Sequence, residues 1–423
     1  MRFGTNNSIT NRKGERKILS PFAYTARMEK ILDTAKGMQK ELVSIRRDLH
    51  VRAEIGFALP QTRAYILEKL KSYGYLPKII GKGSILASVG QGKRSFLLRA
   101  DMDGLPIQEK TGEAYACKGG NMHACGHDLH ATMLLGAAKL LKAREKELKG
   151  EVKLLFQAAE ETLEGAKDAL KSGGLGAQKI DGAMMLHVLT ATPFPTGALV
   201  VARGISAPAA DFFEIIIQGK ACHGSAPQNG VDATMVAAFV LISLQELSAR
   251  ELSVANPAVL TVGKMESGKT GNAISDEAKL YGTLRAFDEK VRAQVKKRIA
   301  EIAKGVSKSF RASARVSFPS GCPTLQNDEN LAEMVETATA KLLGKERVID
   351  SRNLGSDVKE SNGGSEDFAY ISQEIPSVML AIAAGEKGKD YEYPLHHPKA
   401  RFDENALYIG AAAYANAALE FLK

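Results

Sequence analysis

Residues 123–130 read His-Ala-Cys-Gly-His-Asp-Leu-His and hold three of the chain's eight histidines together with one of its four cysteines. Imidazole, thiolate and carboxylate are the donors that bind zinc and its neighbours in the first transition row, so the cluster points to a metal site. Cys125 and His127 stand two apart, and on an extended segment their side chains leave the same face, as two ligands of one ion must. Taken alone, such a pair is equally well a chance neighbourhood in a core, where free cysteine is common. Glu160 and Glu161 end an apolar run; adjacent carboxylates there repel and are desolvated unless a cation is near. One could bind that cation while its neighbour, with a raised pKa, takes a proton from water. The plainer reading is an acidic turn at a helix start, which Glu164 and Asp168 also fit. His187 closes the apolar run Met184–Val188, where a lone histidine is more often a packed core residue. Pro394-Leu-His-His-Pro398 adds His396 and His397 in a proline-bounded loop, and Gly363-Gly-Ser-Glu-Asp-Phe368 is a second loop with carboxylates.

Such groups need supports. Helical spacing runs from near Arg27 through Leu49 and again over Gln61–Tyr73. Ser95–Arg99 reads as a strand delivering Asp101 and Asp103, and Asp128 is placed to cap a helix over Leu129–Ala143. Val152–Phe156 and Gly182–His187 read as further buried strands. Strands alternating with helices, each strand ending in a polar cluster, predict an α/β sheet with its chemistry at the carboxyl ends. After Pro208 the pattern changes to strand 211–218, helix 232–251, strands 258–265 and 278–287, helix 289–305 and strand 314–318. That order, βαββαβ, is a ferredoxin-like module inserted into the α/β fold. The expected division is an N-terminal extension (1–20), a discontinuous catalytic domain (21–207 and 319–423) and an inserted lid or dimerisation domain (208–318).

At 423 residues the chain is long enough to divide in this way. The cysteines Cys117, Cys125, Cys222 and Cys322 are irregularly spaced, so a disulfide framework is not expected, and a thiolate ligand calls for a reducing compartment such as the cytoplasm. No run looks like a signal peptide or approaches eighteen apolar residues, so neither secretion nor a membrane span is expected. The net charge of +9 comes from Lys and Arg interleaved with acids, the pattern of solvated helix faces rather than of a nucleic-acid stripe.

The segments Arg46-Arg-Asp-Leu-His50, Leu98-Arg-Ala-Asp-Met-Asp-Gly-Leu-Pro106, Met122-His-Ala-Cys-Gly-His-Asp128, Phe156-Gln-Ala-Ala-Glu-Glu161, Leu186-His187, Gly271-Asn272-Ala-Ile274, Gly282-Thr-Leu-Arg285, Ser365-Glu-Asp-Phe368 and His396-His-Pro398 occur in that order. In this order the chain resembles the metal-dependent amidohydrolases, in the branch containing hippurate hydrolase, N-acyl-amino-acid amidohydrolases and plant auxin-conjugate hydrolases. The resemblance implies a three-layer α/β/α zinc-peptidase-like domain carrying the inserted lid. It implies two divalent ions (Mn, Zn or Co) held by Cys125, His127, Glu161, His187 and His396, with Glu160 as general base toward the bridging water. Cys125 stands where the wider family has a bridging Asp, and Asp101 where it has a His, leaving Asp101 a ligand, a supporting group or neither. Asp103 is expected to orient a ligand histidine. His223, from Ala221-Cys-His-Gly-Ser-Ala-Pro227, is expected to reach the scissile carbonyl, often across a dimer, and Asn272 and Arg285 to hold the substrate carboxylate or carbonyl. The implied activity is hydrolysis of N-acyl amino acids to a carboxylic acid and an amino acid by a homodimer or higher oligomer. A dipeptidase or aminopeptidase, or a deacetylase of an N-acetylated intermediate, is the alternative.

Overall fold

A computed structural model describes residues 8–10, 16–18, 30–176, 179–353 and 364–423. Most of the expected extension, the start of the first helix and Gly363 therefore lie outside the described residues. Within the extension, β1 (Ser8–Thr10) and β2 (Arg16–Ile18) pair antiparallel with each other.

The main sheet is built around β5 (Ser95–Asp101), every residue of which is buried. A run buried on both faces is the pattern of a central parallel strand. Beside it lie β6 (Glu151–Gln157) and β7 (Gly182–Leu189), both parallel to β5, and β18 (Ser377–Ala383), parallel to β7. The eight strands run β17-β8-β18-β7-β5-β6-β4-β3, where β3 is Lys78–Ile80, β4 Ser84–Val89, β8 Leu199–Val201 and β17 Val348–Asp350. Alternate residues of β5 face opposite layers. Phe96 and Leu98 pack with α1 (Gln39–His50), α2 (Pro60–Ser72), α3 (His127–Ala143), α7 (Glu329–Leu343) and α9 (Ala406–Phe421). Leu97 packs on the other face with α4 (Gly165–Lys171) and α8 (Ala369–Glu374). The result is a three-layer α/β/α fold. Because α3 is flanked by the sheet and α9, it is apolar nearly all round, and Gly136 lets α9 approach so closely that a Cβ there would lie 2.7 Å from the Cβ of Ala411.

The chain passes from β5 to β6 on one side and returns to β7 on the other. This reversal opens a crevice at the carboxyl ends of β5 and β7, where such sheets bind ligands.

A second sheet, all antiparallel, has the order β12-β14-β10-β15, with β10 Ala209–Gln218, β12 Ala258–Ser267, β14 Glu277–Ala286 and β15 Ser313–Cys322. One face is covered by α5 (Ala233–Ser243) and α6 (Glu289–Ser309), and the enclosed cluster of Phe213, Ile215, Val236, Val240, Leu280 and Ile299 is separate from the core of the main sheet. Asp232 and Asp288 cap the two helices by accepting the N–H groups of Thr234, Met235, Lys290 and Val291. Short pairs β11 (Cys222–His223) with β13 (Ala273–Ile274), and β9 (Gly204–Ala207) with β16 (Leu325–Asn327), complete the connections.

Several expectations change. The first helix is broken at Met38, where helical residues 30–37 give way to α1. Residue 318 falls inside β15, which runs on to Cys322 against Ala210. Helix 232–251 is two pieces, α5 and the π-helical Leu247–Glu251, and together they are long and apolar enough by composition to cross a membrane. One face of α5 (Val236, Ala237, Val240) is instead buried on the second sheet.

Candidate metal centre

The groups converge because each strand end turns sharply. Gly126 takes φ +83, and a Cβ there would meet Val188 Cγ2 at 2.3 Å, so glycine is required for the turn that seats Cys125 and starts α3 at His127. The pair is therefore brought together by a turn entering a helix; the extended segment expected from the spacing does not occur. Ala159 and Leu163, both at φ 58, bracket Glu160 and Glu161, and His396 itself has φ 63. Left-handed backbone at non-glycine residues is strained, and it clusters here at the candidate site.

Cys125 Sγ lies 3.5 Å from His187 Nε2, His127 Nε2 lies 3.8 Å from Glu161 Oε1 and 3.9 Å from Glu160 Oε2, and His396 Nε2 lies 3.5 Å from Glu161 Oε1. The five expected ligands and Glu160 thus surround one space. His187 Nδ1 donates to the Val188 carbonyl (2.8 Å), which leaves Nε2 with its lone pair toward Cys125. Burial, reinforced by His130, pushes the His187 pKa down to about 3, so the ring is neutral. Both nitrogens of His127 and Oε1 of Glu161 are buried without a hydrogen-bond partner. Burial raises the carboxyl of Glu161 to about 7, with His127 pulling the other way. Glu160 is raised by burial and then by Glu366 and Glu161. Orphaned nitrogens beside carboxylates that resist ionising, together with a thiol, are what a divalent cation would satisfy, and the S, N and O donors suit Zn, Mn or Co.

Asp103 Oδ1 and Oδ2 accept the N–H groups of Glu160 (3.1 Å) and Glu161 (3.2 Å), and Oδ1 lies 3.4 Å from His127 Nδ1. It orients the glutamate turn as well as facing the histidine. Asp101 instead accepts from His130 Nδ1 (2.6 Å) and Arg99 (2.7 Å), while His130 Nε2 accepts the Val188 N–H at 2.8 Å. With both ring nitrogens engaged, His130 has no lone pair left for an ion, and Asp101 acts as its support.

Asp128 does not cap α3, whose N-cap is Gly126. Its Oδ2 accepts from Arg46 Nε and from His50 Nδ1, each at 2.8 Å, and His50 Nε2 meets Glu109 Oε2 at 3.1 Å. Burial opposes charge on His50, but Asp128 and Glu109 outweigh it and raise its pKa. For a histidine raised on folding, the stabilisation is complete below the unfolded value of about 6.5 and is lost as pH rises through the folded value. His50→Gln should therefore lower Tm more at pH 6 than at pH 9. An equal loss at both values in a thermal melt would refute the charged network.

The inserted module is not joined to this centre by its expected residues. His223 is exposed, its Nδ1 lying 2.7 Å from Ser225 Oγ, and the adjacent Asn272 accepts from Thr270 at 2.8 Å. Among the described residues, no hydrogen bond, ion pair or ring contact links either to the ligand cluster. Arg285 donates to Ser365 Oγ (2.6 Å), which donates to the Pro208 carbonyl at 2.8 Å. Spacing and motif give Arg99 no role in the site, although an arginine inside an otherwise apolar strand run is itself a signal, since such a charge is not buried without partners.

A family model described as Peptidase family M20/M25/M40 matches residues 97–420. The chain is 38% identical over 374 residues to an N-acetyl-L-cysteine deacetylase of Bacillus subtilis, covering 88% of this chain and 85% of that protein. It is 34% identical over 406 residues to the Arabidopsis thaliana IAA-amino acid hydrolase ILR1-like 2, covering 93% and 88% respectively. Among solved structures, the Bacillus subtilis YXEP protein, described as a dinuclear metal binding peptidase, superposes with a TM-score of 0.74 at 29% identity, covering 92% of this chain and 99% of that one.

Proposed function

Because this chain belongs to peptidase family M20/M25/M40, a family of hydrolases, we propose that it cleaves the amide bond of N-acyl amino acids, releasing a carboxylic acid and a free amino acid. The observation that carries this reading is the side-by-side pair Glu160 and Glu161 facing His127, with Cys125, His187 and His396 around the same space. Cys125, His127, Glu161, His187 and His396 would hold two divalent ions, Mn, Zn or Co. Bound there, such ions supply Lewis-acid polarisation of the amide carbonyl and a more acidic water. Glu160 removes the proton of the attacking water and passes it to the leaving amine. His223, brought by the partner subunit of a dimer, would donate to the developing oxyanion, with Asn272 beside it.

Arg285 is the group for the substrate carboxylate: its partner Ser365 is neutral, and among the described residues no ion pair includes it. With the boundary moved from 318 to the end of β15, we assign residues 21–207 and 323–423 to the catalytic domain and 208–322 to a lid through which two chains pair. The free edge of β12 and the half-exposed Met235, Phe239 and Ile242 of α5 support that pairing. A cytoplasmic setting suits the thiol ligand Cys125, and neither nucleic acid nor a membrane enters as partner. The deacetylase and peptidase relatives favour the alternatives on the same site, a dipeptidase or aminopeptidase, or a deacetylase of an N-acetylated intermediate.

The test is hydrolysis by metal-reconstituted protein of hippurate, a series of N-acetyl amino acids and dipeptides. Hydrolysis of the acyl amino acids with kcat/KM above that for dipeptides supports the reading; dipeptides alone as substrates would replace it with the peptidase. In the same assay, Arg285→Met should raise KM for substrates with a free carboxylate and lower kcat/KM roughly 10- to 100-fold, the worth of a charge-assisted contact. The matching carboxamides should be unaffected, and equal loss on both would remove Arg285 from the carboxylate site.

A further inference from the structure

The side chain of Arg99 lies beneath the candidate centre, completely buried on the central strand β5. Its planar fork is fully used. Nε donates to Gln157 Oε1 (3.0 Å) on β6, one terminal nitrogen to Asp101 Oδ2 (2.7 Å), and the other to Asp367 Oδ1 (2.9 Å), with Glu366 Oε1 also at 2.9 Å. Asp367 is gripped in turn by Gln157 Nε2 (2.7 and 2.9 Å) and by the Ala166 N–H (2.8 Å). Through Asp101 and His130 the connection continues to the Val188 N–H on β7. One guanidinium thus ties together the ends of three strands and the turn 364–368.

That turn touches Glu160. The Asp367 N–H lies 3.4 Å from Glu160 Oε1, and carboxylate oxygens of Glu160, Glu366 and Asp367 all fall within 4.8 Å of one another. Three buried carboxylates at that separation repel strongly, and among the described residues Arg99 is the cation paired with two of them. A lysine would carry the charge but not the bidentate reach. We infer that Arg99 is a positioning residue for Glu160, holding Glu366 and Asp367 so that the general base keeps one orientation in the crevice. This rests on the hydrolytic reading above. Arg99 does not meet the substrate; it acts through the turn 364–368 and Gln157.

The experiment compares wild type, Arg99→Lys and Asp367→Asn as full-length, metal-reconstituted protein on the best N-acetyl amino acid found. Tm, bound metal per chain, KM and kcat are read for each. The expected result for Arg99→Lys is a kcat lowered about 100-fold, the size of effect that a misplacement near 1 Å produces, with KM within about threefold and two ions still bound. Asp367→Asn keeps volume and burial but can no longer accept with both terminal atoms from Arg99, Gln157 and the Ala166 N–H, and should lower kcat in the same direction with KM and metal unchanged. If Arg99→Lys does not fold, Asp367→Asn decides alone. A folded variant retaining two ions with kcat within about threefold of wild type would overturn the inference, as would loss of metal in proportion to loss of kcat. Failure of wild type to hydrolyse any acyl amino acid would instead sink the acyl-amino-acid reading, and the two failures are distinguishable.

Discussion

Glu160→Gln is expected to lower kcat by about 10²- to 10⁴-fold while leaving Tm and bound metal near wild type, because it removes a proton acceptor and little else. The Glu160 side chain is almost completely buried, its Oε1 receives the Asp367 N–H at 3.4 Å, and its Oε2 faces His127 Nε2 at 3.9 Å. Glutamine preserves the volume and one acceptor oxygen, so the turn bracketed by Ala159 and Leu163 has no reason to rearrange. What it cannot do is take a proton. Rates on the best substrate, with metal content by mass spectrometry, make the check. More than a tenth of wild-type kcat in a metal-replete variant would remove Glu160 from its role, and loss of the ions would make it a ligand.

Cys125→Ala should lose at least one of the two ions and nearly all hydrolysis. The thiol lies between His187, at 3.5 Å, and the group formed by Glu161 and His396, so its removal opens both halves of the donor set. The same physics gives a pH dependence for metal removal. Glu161 has its carboxyl raised to about 7 without a cation, so in metal-free protein the stability it allows is complete below the unfolded value of about 4.3 and is lost as pH rises through about 7. A bound divalent ion reverses this by favouring the carboxylate, and its ligands must be deprotonated to bind. Chelation should therefore lower Tm more at pH 8 than at pH 5. An unchanged Tm at pH 8 would show that the donors hold no metal, and Cys125→Ala protein that keeps two ions would remove the thiol from the donor set.

Much of the site was legible because its residue types are unusual where they occur. Glu160 and Glu161 at the end of an apolar run, and a cysteine among histidines, state a conflict that water and packing alone do not resolve. What misled was local geometry. Asp128 has the residue type and position of a helix cap, yet Gly126 takes that place and Asp128 turns to Arg46 and His50, which are about eighty residues away in sequence. Asp101 stays open between ligand, supporting group and neither on spacing alone, and its contacts with His130 and Arg99 make it a support. Helix 232–251 reads as continuous because no glycine or proline interrupts it, whereas the helix changes its winding beyond Ser243.

The sequence by itself determined the alternation of strands and helices, the βαββαβ order after Pro208, and the donors available, because periodicity and residue chemistry are local properties. Only the tertiary structure decided which donors share a space. Gly126, Ala159, Leu163 and His396 bend the backbone at four separate points, and β5, β6 and β7 meet in an order that no local pattern encodes. It alone also revealed Arg99 as the cation under the acidic cluster: a guanidinium finds its partners through contacts up to 268 positions apart, and such pairings are set by packing, not by spacing along the chain.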